Sequence, residues 1–255
     1  MGKDDQKKLG KDVIAVQNLT MGWPGKILLK DVSFTIHEEE IVFILGGSGC
    51  GKSSLMKTII GLNPPMEGDI LVNGESIIHS NDRAKIQRSL GIMYQSGALF
   101  GSLSVQENIK FPLDQFTDLP EEAKNITAQL LLNVLDMPKA GNLMPGEISG
   151  GMLKRAGIAR ALALGSKILL LDEPSAGLDP ITSANLDQTI LRLRDRLGCT
   201  FIIVSHELQS IFSIADRCLM LDPVSQSIIA DGSPQELKDS SPNPKVRQFF
   251  NAKAD

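Results

Sequence analysis

The run Gly46-Gly47-Ser48-Gly49-Cys50-Gly51-Lys52-Ser53 fits the spacing G-x-x-x-x-G-K-[ST], and each position has a physical task. The glycines let successive backbone N–H groups turn inward around an anion, and a helix starting at the end of the run adds its positive dipole. Lys52 reaches the outer oxygens of a polyphosphate, Ser53 offers a hydroxyl to Mg²⁺, and Ser54 joins them as a candidate binding residue. Cys50 reads as a small filler whose oxidation would clash with bound phosphate. A second pair, Asp172-Glu173, closes the apolar run Ile168 to Leu171. There Asp172 is a metal-side carboxylate, and Glu173 can polarise a water for attack on a terminal phosphate. The chemistry these residues suit is hydrolysis of a nucleoside triphosphate.

Such residues need a sheet to hold them. Ile41-Val42-Phe43-Ile44-Leu45 is a continuous apolar run, as strands covered on both faces show, and it feeds straight into the glycines. Leu90 to Tyr94, Ile168 to Leu171 and Phe201 to Val204 read as further buried strands, with a helix from Ile181 to Leu197 between the last two. That βαβ order predicts a parallel sheet with right-handed crossovers, and ligands then gather beyond the strands' carboxyl ends. Ahead of this core, Val13 to Leu19 and Ile27 to Ile36 alternate around Gly22-Trp23-Pro24-Gly25, and Gly68 to Gly74 suggests an exposed hairpin. From Ser104 to about Gly165 the pattern is helical, and Glu121 to Leu135 sets Ala123, Ile126, Leu130, Leu131, Val134 and Leu135 on one expected core face. The end, from Asp231, is polar and closes in a helix-like stretch from Lys245 to Ala252.

The chain has 255 residues, 42% of them hydrophobic and 22% charged, which is ordinary globular composition. Its formal charge of −4 supplies no cationic field for nucleic acid, so no nucleic-acid partner is expected. The uncharged stretch Ser89 to Gln106 is too rich in Gly, Ser and Gln to span a bilayer. The opening MGKDDQKKLGKD lacks the apolar region of a signal peptide. Cys50, Cys199 and Cys218 are too widely spaced for a CxxC metal pair or a disulfide framework, which fits a reducing compartment.

Glu147-Ile148-Ser149-Gly150-Gly151-Met152, ahead of a helix from Leu153 to Leu164, resembles the LSGGQ signature of ATP-binding-cassette (ABC) ATPases. With the two motifs above, and in the family's order, the resemblance covers nearly the whole chain. It implies an α/β P-loop (RecA-like) core with an antiparallel β subdomain and an α-helical insert. The implied division is one domain over 1–255, with a core of 13–95 and 166–230, a helical subdomain of 96–165 and a tail of 231–255. It also implies ATP and Mg²⁺ as ligands. Carried over by position, Trp23 resembles the aromatic that stacks on adenine, and Gln95 the glutamine that contacts Mg²⁺ and the attacking water. Asp179, in Ser175-Ala176-Gly177-Leu178-Asp179, resembles the seam-crossing loop's aspartate, and His206 the switch histidine that reads the γ-phosphate. Ser149, Gly150 and Gly151 form a second anion site for a nucleotide held by another subunit, and Ser149 also suits a helix cap. Met152 and Ile148 replace the usual glutamine and leucine, which leaves the serine and glycine contacts intact.

One cassette implies a homodimer that closes on two ATP, and transmembrane permease subunits for it to move. Ser96 to Leu103, small and apolar after Gln95, fits a groove for a permease helix, or else packing of the insert. Tyr94 to Phe100, Glu107-Asn108-Ile109, Phe111-Pro112-Leu113 and the tail Asn243 to Phe250 resemble the ATPases of bacterial lipid-trafficking systems of the Mla type, which work with an Mce-domain protein. That resemblance implies phospholipid transport from the cytoplasmic face of a bacterial inner membrane. It leaves open a small regulatory subunit, and whether the tail embraces the neighbouring subunit or covers the core. An importer ATPase for a small solute such as an amino acid, and a soluble non-transport ABC ATPase, are the alternatives.

Overall fold

The computed structural model describes residues 10–251. The expected absence of a leader in residues 1–9, and the end of the tail from Ala252, lie outside the described residues. Strands β1 (Asp12–Trp23) and β2 (Lys26–His37) form a long antiparallel pair, and β3 (Ile41–Leu45) runs into helix α1 (Lys52–Ile59). Next come β4 (Glu67–Val72), β5 (Glu75–Ser76), α2 (Arg83–Arg88) and β6 (Leu90–Met93). The helices α3 (Val105–Phe116), α4 (Glu121–Val134) and α5 (Gly150–Leu162) follow. Then β7 (Ile168–Asp172), α6 (Pro180–Leu197), β8 (Thr200–Val204) and α7 (Leu208–Ile214) alternate. The chain closes with β9 (Arg217–Asp222), β10 (Ser227–Gly232), α8 (Pro234–Ser240) and α9 (Pro244–Phe250).

The six-stranded sheet has the order β10-β9-β3-β8-β7-β6. Its members from β9 to β6 are parallel, and β10 pairs antiparallel with β9. Alternation divides each central strand between two cores. Ile41, Phe43 and Leu45 of β3 join the helices α3 to α9, whereas Val42 and Ile44 join α1 and the second sheet. The continuous apolar runs in the sequence are thus strands buried on both faces. The parallel βαβ logic and the antiparallel subdomain are both as the sequence implied.

The four-stranded sheet has the order β2-β1-β4-β5, and it corrects one expectation. The Gly68 to Gly74 segment does turn back as a hairpin, β4 with β5 through Leu71↔Ser76 and Val72↔Glu75, but it is not an exposed one: β4 also pairs along β1 from Ile14↔Val72 to Thr20↔Glu67, and Ile70 and Val72 are buried. The α4 face is corrected in part. Leu135 enters the core and Leu131 packs against it, as expected, but Ala128 and Leu132 are the other core residues, while Ile126, Leu130 and Val134 are exposed. Both sets follow helical spacing, and packing against α3 and α5 selects between them.

Local signals fix the helix ends around the site. Ser104 and Glu107 form a capping box at the start of α3. Asp179 caps α6, Pro180 takes its first position, and Gly198 ends it with φ 65°. At the end of the chain Val246 and Phe250 are buried in the helix-side core.

Candidate active site

Strand register sets the site. Ile44 of β3 lies level with Val204 of β8, Asp172 of β7 with the same Val204, and Met93 of β6 with Leu171. The loops leaving β3, β6, β7 and β8 therefore open on one edge, and these carry Gly46–Ser53, Gln95, Glu173 and His206. The glycine loop shows why its residue types are needed. Gly46, Gly49 and Gly51 have φ of 142°, 77° and 101°, a region that costs little only for glycine. A Cβ on Gly46 would lie 2.6 Å from both Cys50 Sγ and the Leu221 carbonyl oxygen. Cys50 is buried beneath the loop, as a filler should be. Lys52 Nζ donates to the carbonyls of Gly46 at 2.8 Å and Gly47 at 3.2 Å, so its ammonium lies over the concave loop. Gly47, Ser48 and Gly49 are exposed, and Ser54 lies in the first turn of α1.

Ser53, Gln95 and Asp172 line one cavity of 820 Å³, together with Lys57, Tyr94 and Ser96. Burial, and next the charge of Glu173, hold the Asp172 carboxyl above the usual carboxylate range; a hydrogen bond with the Ser53 hydroxyl and the ammonium groups of Lys57 and Lys52 oppose this. Glu173 follows with φ 48°, a left-handed conformation that costs a non-glycine residue on the order of 1–3 kcal/mol and persists only where surroundings enforce it. Its N–H donates to Val204 O at 2.8 Å, and its carbonyl accepts from Ala176 N–H at 3.2 Å. Its Oε1 lies 2.9 Å from His206 Nδ1. The imidazole is largely exposed and the carboxylate mostly covered. A carboxylate so held, open to solvent on its histidine side, can orient a water beside a phosphate in the glycine loop.

Sequence reasoning missed Lys154, which is 5% exposed on α5. Its ammonium donates to the main-chain carbonyl of Gln95, and to that of Glu173 at 3.3 Å. The only signal in the sequence is a lysine in a helix otherwise rich in buried Ala, Gly and Ile. On the same helix Arg160 donates to the carbonyls of Ala98 at 2.6 Å and Gly97 at 3.1 Å. Asn108, fully buried, binds Phe100 N–H and the carbonyls of Phe100, Leu103 and Ser104. Most of the segment after Gln95 is thus pinned to the helical layer, with Phe100 exposed above Phe111.

The remaining sequence candidates stand outside this cavity. Ser149 caps α5, its Oγ accepting from Met152 N–H at 3.3 Å, and it is exposed together with Gly150. Gly151 is packed so that a Cβ would meet Thr182 Cγ2 at 2.4 Å. Asp179 accepts from Ile181 N–H, Thr182 N–H and the Thr182 hydroxyl, and the last of these does most to hold its carboxyl below the usual range. Trp23, 47% exposed, ends β1 at the turn into β2. A serine-capped glycine pair and a tryptophan left facing solvent are suited to contacts beyond this chain's own cavity.

A glycine-lined anion loop after a parallel strand, with two acidic residues on the same sheet edge, defines a P-loop nucleotide-hydrolysing fold. Comparison with known proteins narrows it. The ABC transporter family profile matches residues 29–176, and the chain belongs to that family. It is 36% identical over 246 residues to the intermembrane phospholipid transport system ATP-binding protein MlaF of Escherichia coli K12, covering 96% of this chain and 90% of MlaF. It is also 36% identical to the probable ribonucleotide transport ATP-binding protein Mkl of Mycobacterium leprae, over 99% of this chain and 72% of that protein. Among solved structures, CbiO1 of Clostridium perfringens, part of an ABC transporter complex, superposes with TM-score 0.83 at 28% identity, covering 90% of this chain and 92% of that one. A dimeric ATP-binding cassette in a post-hydrolysis state with ADP and Pi gives 0.75 at 28% identity, covering 86% and 98%.

Proposed function

We propose that this chain is the ATP-hydrolysing subunit of a phospholipid transporter, acting as a homodimer beneath separate permease subunits. The observation that carries the hydrolytic reading is the convergence of Lys52, Ser53, Gln95, Asp172, Glu173 and His206 on one sheet edge. For the cargo, similarity to MlaF over nearly the full length of both proteins supports phospholipid, and the match to Mkl leaves over a quarter of that relative unpaired. No helix among the described residues is long and apolar enough to cross a membrane, so this reading needs a partner that does. Peripheral attachment at the inner membrane's cytoplasmic face follows, with the exposed Phe100 and its surroundings as the face offered to a permease helix and an Mce-domain protein as part of the assembly.

The residues share out the work. The Gly46–Gly51 amides and Lys52 bind the β- and γ-phosphates, and Trp23 stacks on the adenine. Ser53, Gln95 and Asp172 line one cavity, and their hydroxyl, amide and carboxylate oxygens are the hard donor set that suits Mg²⁺. Bound there, Mg²⁺ would neutralise charge on the phosphates. Glu173 orients the attacking water and takes up its proton, and His206 holds the Glu173 carboxylate toward the phosphate. Ser149, Gly150, Gly151 and Asp179 complete the site of the other subunit, so turnover requires closure of two copies.

Glu173→Gln tests this: it should keep ATP affinity, lower hydrolysis by at least about 10²-fold and trap a closed dimer. Parental turnover in that variant would overturn the assignment.

A further inference from the structure

Lys154 is used by none of the roles above, yet it is among the most buried charges in the described chain. At 5% exposure, an ammonium in this position needs hydrogen-bond partners from the protein. Burial pulls its pKa below the usual lysine value, against the charges of Glu173 and Asp172. Its partners are both main-chain carbonyls, and both belong to site residues: Gln95, where the chain leaves β6, and Glu173, where it leaves β7. These carbonyls come from loops that share no strand pairing beyond Met93↔Leu171. Glu173 is also the residue whose φ of 48° must be enforced from outside. Its N–H is fixed by β8, its carbonyl by Ala176 and Lys154. The lysine itself sits on α5, whose first turn carries the Ser149-Gly150-Gly151 segment.

We infer that Lys154 is a positioning residue, a buried tie that sets the main chain of Gln95 and Glu173 together and fixes both to the helix that bears the signature glycines. Both of its hydrogen bonds go to main-chain carbonyls, so it acts on the reaction through those two residues. It acts by keeping the Glu173 carboxylate and the Gln95 amide in one mutual geometry, and by making movement of α5 move both. Packing supports a rigid tie: a Cβ on Gly97 would lie 2.6 Å from Leu153 Cδ2, and one on Gly157 would lie 3.2 Å from the Gly97 carbonyl oxygen. Because small misplacements in an active site cost far more in turnover than in binding, losing the tie should appear in kcat.

This inference rests on the assignment of Glu173 as the base, so Glu173→Gln is measured in parallel. The full chain is purified with its membrane partners, and ATPase kinetics, ATP affinity and melting are compared for Lys154→Met, Lys154→Arg and the parent. The expected result is a loss of about tenfold or more in kcat for Lys154→Met with ATP KM and Kd within about twofold, largely recovered by Lys154→Arg, which can still donate to both carbonyls. Lys154→Met turnover within twofold of the parent, with Glu173→Gln inactive, overturns the tie and leaves the base assignment standing. A parallel loss of kcat and ATP affinity that Lys154→Arg does not recover overturns it as well, since that marks ordinary loss of structure. Parental turnover in Glu173→Gln removes the base assignment and the tie with it. If Lys154→Met does not fold, Lys154→Arg is set against Lys154→Gln, which offers too short a donor for both carbonyls. Faster turnover by Lys154→Arg at equal KM is then expected, and equal rates overturn the inference.

Discussion

Asp187 lies on α6, 4% exposed, in a polar cluster between α6 and α7 that includes Glu207, the residue after His206. Ser183 Oγ donates to Glu207 at 3.2 Å and lies 3.5 Å from Ser210 Oγ. Burial raises the Asp187 pKa to about 6; a hydrogen bond from Ser210 opposes this, and the Glu207 charge adds to it. The native chain therefore keeps this proton across the interval in which the unfolded chain has already released it. The sign follows: stability from this site is fullest below about pH 4, declines as pH rises toward 6, and stays reduced above. At about 1.4 kcal/mol per pH interval of separation, the cost at pH 8 is about 3 kcal/mol at most. Asp187→Asn keeps the shape, removes the ionisation and can donate to Glu207. Urea unfolding of both chains at several pH values should show the variant more stable by about 1–3 kcal/mol at pH 8, with the difference vanishing near pH 4. A difference independent of pH, or a variant less stable at pH 8, would refute the reasoning.

Two further outcomes follow from other parts of the fold. Ser149→Arg should leave ATP binding by a single subunit nearly unchanged while abolishing ATP-dependent dimerisation, measured by light scattering in a hydrolysis-deficient background; loss of ATP binding by the lone subunit contradicts its place across the seam. Phe250→Ala removes a side chain 2% exposed against Phe212 and Phe249, and should cost about 3–5 kcal/mol in urea unfolding; a loss under about 1 kcal/mol would show that α9 does not belong to the core.

What the sequence disclosed, and what it did not, divides by the range of the physics. Gly46 to Ser53 was legible because the constraints that pick out its pattern are local: positive φ, a strand before and a helix after. The same holds for β3 and β7, whose runs without a polar residue admit only a doubly covered strand. The buried face of α4 was legible only in part: Leu131 and Leu135 were, but Ala128 and Leu132 fit helical spacing no better than Ile126, Leu130 and Val134, and only neighbouring helices choose between them. Likewise β4 does form the local hairpin read from the sequence, but its longer pairing, with β1, spans β2, β3 and α1 along the chain. Lys154 was invisible for the same reason: its carbonyl partners lie 59 and 19 residues away. The corrected positions are those fixed by tertiary contacts, whereas the candidate site residues share one sheet edge because they sit where strands end.

The central claim, an ATPase that drives phospholipid movement, is tested most directly by isolating the full chain from its native membranes in mild detergent and identifying the proteins and lipids that accompany it by mass spectrometry. Recovery of a permease with an Mce-domain protein and bound phospholipid is the predicted result. Recovery with the permease of a solute-binding protein, or with no membrane protein at all, would contradict it.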